Sequence, residues 1–213
     1  MYWRFVSLAA LCLLLFACDD TDRLNEADAF SGWLSEEPER ATIFADFQHY
    51  LASQNVAGIV PDADLLITDS QYRSIKCPVS IYAMPPRATW PHIAATLALV
   101  RDKVIPAIGP VRIVSGYRPP EFNRCIKGAK QSAHMGKGAY DMVARDQKLP
   151  KAVLYTKLCA AWQQSPESNF GLGAYYDVND PDRSKGRFHI DASGYRSWGF
   201  GYKGSSSPCG QLL

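Results

Sequence analysis

Two short stretches hold side chains whose types and spacing could do chemistry. In "SAHMGKGAYDMV", residues 132–143, His134 is followed by glycines on either side of Lys137 and then by Asp141 inside an apolar run. In "RFHIDASGYRSWG", His189 stands two residues before Asp191. Two glycines so close together disfavour a continuous helix, so the first stretch predicts a turn leading into the strand "AYDMVA". Strand alternation then puts Ala139, Asp141 and Val143 on one face and Tyr140 and Met142 on the other. An inward carboxylate among small and apolar neighbours needs a partner, and a metal ion is one of the few that fully offset its desolvation. The same alternation over 188–192 sets His189 and Asp191 together, with Phe188 and Ile190 facing away. Two imidazoles and a carboxylate, with a fourth position left to water, would make a catalytic zinc arrangement. A histidine hydrogen-bonded within an apolar strand is the competing reading for His189.

The remaining elements must position these groups. "ATIFADFQHYLASQNV" spaces Ile43, Phe44, Phe47, Tyr50 and Leu51 as one helix face, leaving His49 off the stripe as a surface or half-buried group. "LLITDSQYRSI" and "VSIYAM" predict short extended segments around Cys77. The clearest helix is "TWPHIAATLALVRDKVIPAIG", with Pro91 in its first turn and Pro106 and Gly109 closing it. His92 sits in that first turn and reads as a helix-end residue rather than a ligand. "VRIVSGYRPPEFN" predicts a strand ending in a glycine turn and two prolines. "KAVLYTKLCAAWQQ" predicts a second amphipathic helix with Val153, Leu154, Leu158 and Ala161 inward. Helices interleaved with short strands give an α+β class: a small, mainly antiparallel sheet packed with helices, with the zinc site at the sheet. A single domain is expected over 41–213, with its motif core at 111–200.

The chain has 213 residues, enough for one sizeable core, and a net charge of +2 with Lys and Arg dispersed, which sets nucleic-acid binding aside. Residues 1–17 read as a signal peptide, because the apolar run "FVSLAALCLLLFA" is short for a bilayer span and ends at Cys18 in "LFAC". That ending looks like a bacterial lipobox, with Leu15 at −3, Phe16 at −2 and Ala17 at −1. Lipidation of Cys18 would anchor the protein to a membrane in the bacterial cell envelope, on the periplasmic side; an uncleaved anchor or plain secretion is the alternative. Asp19 resembles the signal that retains such lipoproteins at the inner membrane. Residues 18–40, polar and mostly acidic, read as a tether. Beyond Cys12 and Cys18, the six cysteines leave Cys77, Cys125, Cys159 and Cys209, an even set expected to form disulfides after export, with three pairings possible. None of their spacings resembles a zinc knuckle.

Taken in order, "SGYRPPEFN", "SAHMGKGAYDMV", "GLGAYY" and "RFHIDASGYRSWG" resemble the zinc D-alanyl-D-alanine carboxypeptidases, a family that includes vancomycin-resistance dipeptidases and cell-wall endopeptidases. The shared pattern is a Ser-Gly-Tyr-Arg turn, a Ser-x-His with an Asp seven residues after the His, and a late His-x-Asp strand. The resemblance implies one zinc ion held by His134, Asp141 and His189. It places Ser132, with Tyr117, beside the substrate and makes Arg118 the group that neutralises charge on the substrate or the tetrahedral intermediate. Its implied substrates are peptidoglycan stem peptides or cross-links. Two positions depart from the pattern. Lys137 replaces a usual glycine, and Gly186 and Arg187 stand where several subgroups carry the general base, Glu or His. Asp191 is the best remaining candidate, as base or as an acceptor that orients an imidazole. Glu121, Asp177, Asp180 and Asp182 are looser ones. Tyr117, Tyr175 and Trp198 are expected to shape the cleft or to join the core. Loss of the base leaves a second reading open, an inactive zinc-stabilised module that binds the cell wall.

Overall fold

A computed structural model describes residues 27–70, 77 and 80–213. The signal peptide, Cys18 and the start of the tether lie outside the described residues. The chain divides into two compact units, Met1–Ala41 and Thr42–Leu213. In the first, residues 27–35 form helix α1. Arg40 stacks over the Trp33 ring at 4.4 Å and pairs with Glu36 and Glu37. Among the described residues, no helix is long and apolar enough to cross a membrane.

The second unit is α+β. Helix α2 spans Pro38–Ser53, bracketing the expected period, and buries Phe47 and Leu51. The segment after it differs from the extended reading. Leu65 and Leu66 belong to a short helix, α3 (Asp62–Leu66), and among the described residues of this segment extended pairing is limited to the bridge between Ile67 and Tyr82. Helix α4 (Trp90–Leu99) begins with Pro91 in its first turn, as expected. It does not close at Pro106. A π turn over Val100–Val104, in which the Ile105 amide bonds to the Val100 carbonyl, widens the backbone just before the proline. The helix therefore continues as α5 (Ile105–Ile108) and stops at Gly109, whose φ is 81°.

Five strands follow: β1 (Val111–Ser115), β2 (Tyr140–Ala144), β3 (Gly171–Ala174), β4 (Phe188–Asp191) and β5 (Arg196–Trp198). Their order is β1-β2-β4-β3-β5, antiparallel except for the parallel β3–β5 pair. One face is apolar, with Ile113, Met142, Phe188, Ile190, Leu172 and Ala174 fully buried. Helices α4 and α7 (Lys151–Gln163) pack against strands β4 and β3. Helix α7 is turned from its expected orientation. Val153 is 41% exposed and Ala161 half-buried, while Leu154, Tyr155, Leu158 and Cys159 face inward. The Cys159–Cys209 disulfide and the Tyr155 hydroxyl, which donates to the Arg187 carbonyl, fix that face inward. The second disulfide joins Cys77 to Cys125. The latter lies on α6 (Pro120–Cys125), a helix that begins at the second of the two prolines that follow the glycine turn.

Gly138 admits the chain into β2. Its φ is +64°, and a Cβ there would lie 2.4 Å from the His92 carbonyl carbon and 2.5 Å from the Ile93 amide. The turn carrying His134 can therefore pass over the first turn of α4 only with glycine at this place. Gly138→Ala is expected to cost about 2 kcal/mol, combining a left-handed residue with a backbone clash, as read by denaturant unfolding.

Candidate metal centre

The opposite face of the sheet carries a polar row that crosses all five strands. Register pairs Ser115 with Asp141, Asp141 with His189, His189 with Gly173, and Gly173 with Trp198. Asp141 and His189, 48 residues apart in sequence, are thus direct cross-strand neighbours, with His189 Nδ1 2.9 Å from Asp141 Oδ1. His134 arrives from outside the sheet, on a 3₁₀ turn over Ala133–Met135 that the Ser132 side chain caps by accepting from the His134 amide. Its Nε2 lies 3.4 Å from Asp141 Oδ2. His134, Asp141 and His189 are all buried, and each offers a ligand atom within 4.8 Å of the others.

The outer partners fix which atoms point inward. His134 Nδ1 donates to the Gly116 carbonyl at 2.9 Å, leaving Nε2 as the lone pair toward Asp141. Burial drives the His134 pKa down to about 4, outweighing the attraction of Asp141, so the ring is neutral at neutral pH. His189 Nε2 lies 2.9 Å from Asp191 Oδ2, which accepts its proton and leaves Nδ1 toward Asp141. Burial would lower His189, but hydrogen bonds to Asp141 and Asp191 raise it. Burial would likewise raise Asp141, yet His134 and His189 hold its carboxyl well below the usual range. Two imidazoles, each oriented by an acceptor on its far nitrogen, and one ionised carboxylate form a donor set that fits a divalent metal.

Asp191 is fully buried and saturated. Oδ2 accepts from His189 and from Arg196 Nη2 at 2.7 Å, and Oδ1 accepts from the Ser193 amide at 2.8 Å. Burial alone would raise its pKa, but these donors hold it far below the ordinary carboxylate range. Such a carboxylate suits the orienting role better than proton transfer. Glycine at 171 makes room for it, since a Cβ there would lie 2.7 Å from Asp191 Oδ1.

Arg118 bonds the Ser115 hydroxyl through Nε and Nη2, at 3.0 and 2.9 Å, and Asp141 Oδ2 at 3.2 Å. Arg187 reaches the same oxygen at 2.7 Å. Its other contact is Asp69, buried and 3.4 Å away, which also lies 3.9 Å from Arg118. Asp69 is the residue that sequence reasoning missed. It sits in a segment with no motif and joins the cluster only through the fold. Tyr117 and Tyr175 are half-buried. Burial and then the charge of Asp141 raise the Tyr175 phenol, with Trp198 acting in the opposite direction. The Trp198 ring lies 5.2 Å from that of His189. Lys137 is exposed and leaves the cluster undisturbed, and Glu121, Asp180 and Asp182 are exposed too. Asp177 pairs with Arg183 in its loop.

Residues 76–172, a little under half of the chain, match the family model described as Peptidase M15. The match takes in Arg118, Ser132, His134 and Asp141 and ends before His189. No curated protein and no solved structure matches the chain.

Proposed function

From the match of residues 76–172 to the Peptidase M15 family model, we propose that the protein is a zinc metallopeptidase hydrolysing peptidoglycan stem peptides or cross-links. The observation that supports this most is the convergence of His134, Asp141 and His189, with each imidazole turned by an outer partner so that its inner nitrogen faces Asp141. The M15 family is metal-dependent, and a bound zinc supplies a Lewis acid that polarises a scissile carbonyl and acidifies water. The chain's own side chains do the rest. His134 and His189 are oriented as metal donors by the Gly116 carbonyl and by Asp191. Arg118, fixed by Ser115, presents a guanidinium to the developing oxyanion or to a substrate carboxylate. Ser132 and Tyr117 line the approach of the substrate.

Asp191→Asn is expected to weaken metal affinity about 10- to 100-fold while the fold persists, because the acceptor that orients His189 loses its charge. Competition with a chromogenic chelator measures it. We place the protein in the periplasm, tethered through lipid on Cys18 at the inner membrane. Cys18→Ala should shift it from the membrane to the soluble fraction, and a variant that stays membrane-bound would point to an uncleaved anchor.

Incubation of the soluble protein, from about residue 25 on, with isolated peptidoglycan tests the activity. Chelator-sensitive release of peptides is the expected result. The second reading, a wall-binding module without turnover, draws on Arg187 standing where several subgroups carry a base. Bound metal and wall binding without released peptide would favour it.

A further inference from the structure

Arg187 has no assigned role, yet it is more open than Arg118, its neighbour on Asp141. Its side chain is 27% exposed against 13% for Arg118. Only Nη2 is committed, to Asp141 at 2.7 Å and Asp69 at 3.4 Å. Nε and Nη1 make no hydrogen bond among the described residues, and neither is a buried orphan, so these donors face solvent beside the cluster. Arg118 bonds the same Asp141 oxygen, and the Nη2 atoms of Arg118 and Arg187 also lie 3.9 and 3.4 Å from Asp69 Oδ2, which brings the two guanidiniums next to each other. Asp69, buried beside both guanidiniums, adds its negative charge to that of Asp141 and offsets their mutual repulsion.

A planar guanidinium with free donors is matched to a carboxylate, which it binds in bidentate fashion. Resting on the peptidase reading, we propose that Arg187, aimed by Asp69 and paired with Arg118, binds the free C-terminal carboxylate of the residue released. The preferred substrate is then a peptide cut one residue from its carboxyl end rather than a cross-link cut internally. Arg187 is a substrate-binding residue in this account and Asp69 a positioning residue.

The test compares N-acetyl-D-alanyl-D-alanine with its C-terminal amide on the metal-loaded protein, by hydrolysis and by calorimetric binding. The wild type should favour the acid by at least about 10-fold, the loss expected when a charged hydrogen bond has no partner. Arg187→Met should bring acid and amide toward parity, chiefly through KM for the acid. Arg187→Lys, which keeps the charge but not the fork, should fall between them, and Asp69→Asn should move the ratio the same way. Metal content and unfolding midpoint serve as the control for folding, and the lysine variant carries the test if the methionine variant fails it. Equal handling of acid and amide by the wild type, binding of neither, or an equal loss on both in Arg187→Met overturns the proposal. Discrimination in binding without hydrolysis would leave the carboxylate site standing and remove the peptidase reading instead.

Discussion

His134→Ala is expected to purify without its metal and to lose at least about a thousandfold of hydrolytic activity, since the several kcal/mol of charge stabilisation at the centre go with the ion. The ring is one of three donors within 4.8 Å, and no other histidine or carboxylate among the described residues joins that group. The loss separates from unfolding. Removing the imidazole leaves the Gly116 carbonyl without its 2.9 Å donor, a cost of about 1–3 kcal/mol that a thermal melt reads independently. Elemental analysis beside the activity assay checks the prediction, and an unchanged metal content would refute the ligand set.

Arg118→Ala should keep its metal and lose about 10²- to 10³-fold in kcat/KM, the usual consequence of removing one preorganised donor from an oxyanion site. Arg118 is held by two hydrogen bonds to the Ser115 hydroxyl and by the hydrogen bond that its own backbone amide donates to the His134 carbonyl at 3.0 Å. Its position is therefore built into the turn that presents the first histidine. Arg118→Lys should recover little, because a single ammonium cannot bond Ser115 and a substrate oxygen in one plane. Steady-state kinetics on a stem-peptide substrate measures both variants, and full activity in Arg118→Ala would remove the residue from the site.

The strand readings around Asp141 and His189 were legible because period-two alternation is a local property. Phe188 and Ile190 turn into the core, and His189 and Asp191 turn away from it. The α+β class and the even set of four cysteines were legible for similar reasons. The polar row was not. It depends on the register between strands far apart in sequence, and Gly173 gives no sign that its missing side chain lets His189 and Trp198 meet. Arg187 was visible only as the absence of a base, and its neighbour Asp69 lies 118 residues earlier. Helix α6 was hidden because the two prolines read as the end of a strand and its turn, although the second of them suits a helix start. The inward face of α7 shifted because a disulfide and a buried tyrosine, both tertiary contacts, outweighed the apolar period.

Anomalous diffraction at the zinc edge from crystals of the metal-loaded protein tests the central claim most directly. The account predicts one strong peak per chain, bonded by His134 Nε2, His189 Nδ1 and an Asp141 oxygen. A peak placed elsewhere, or one bonded through His189 Nε2 with Asp191 displaced, would contradict it.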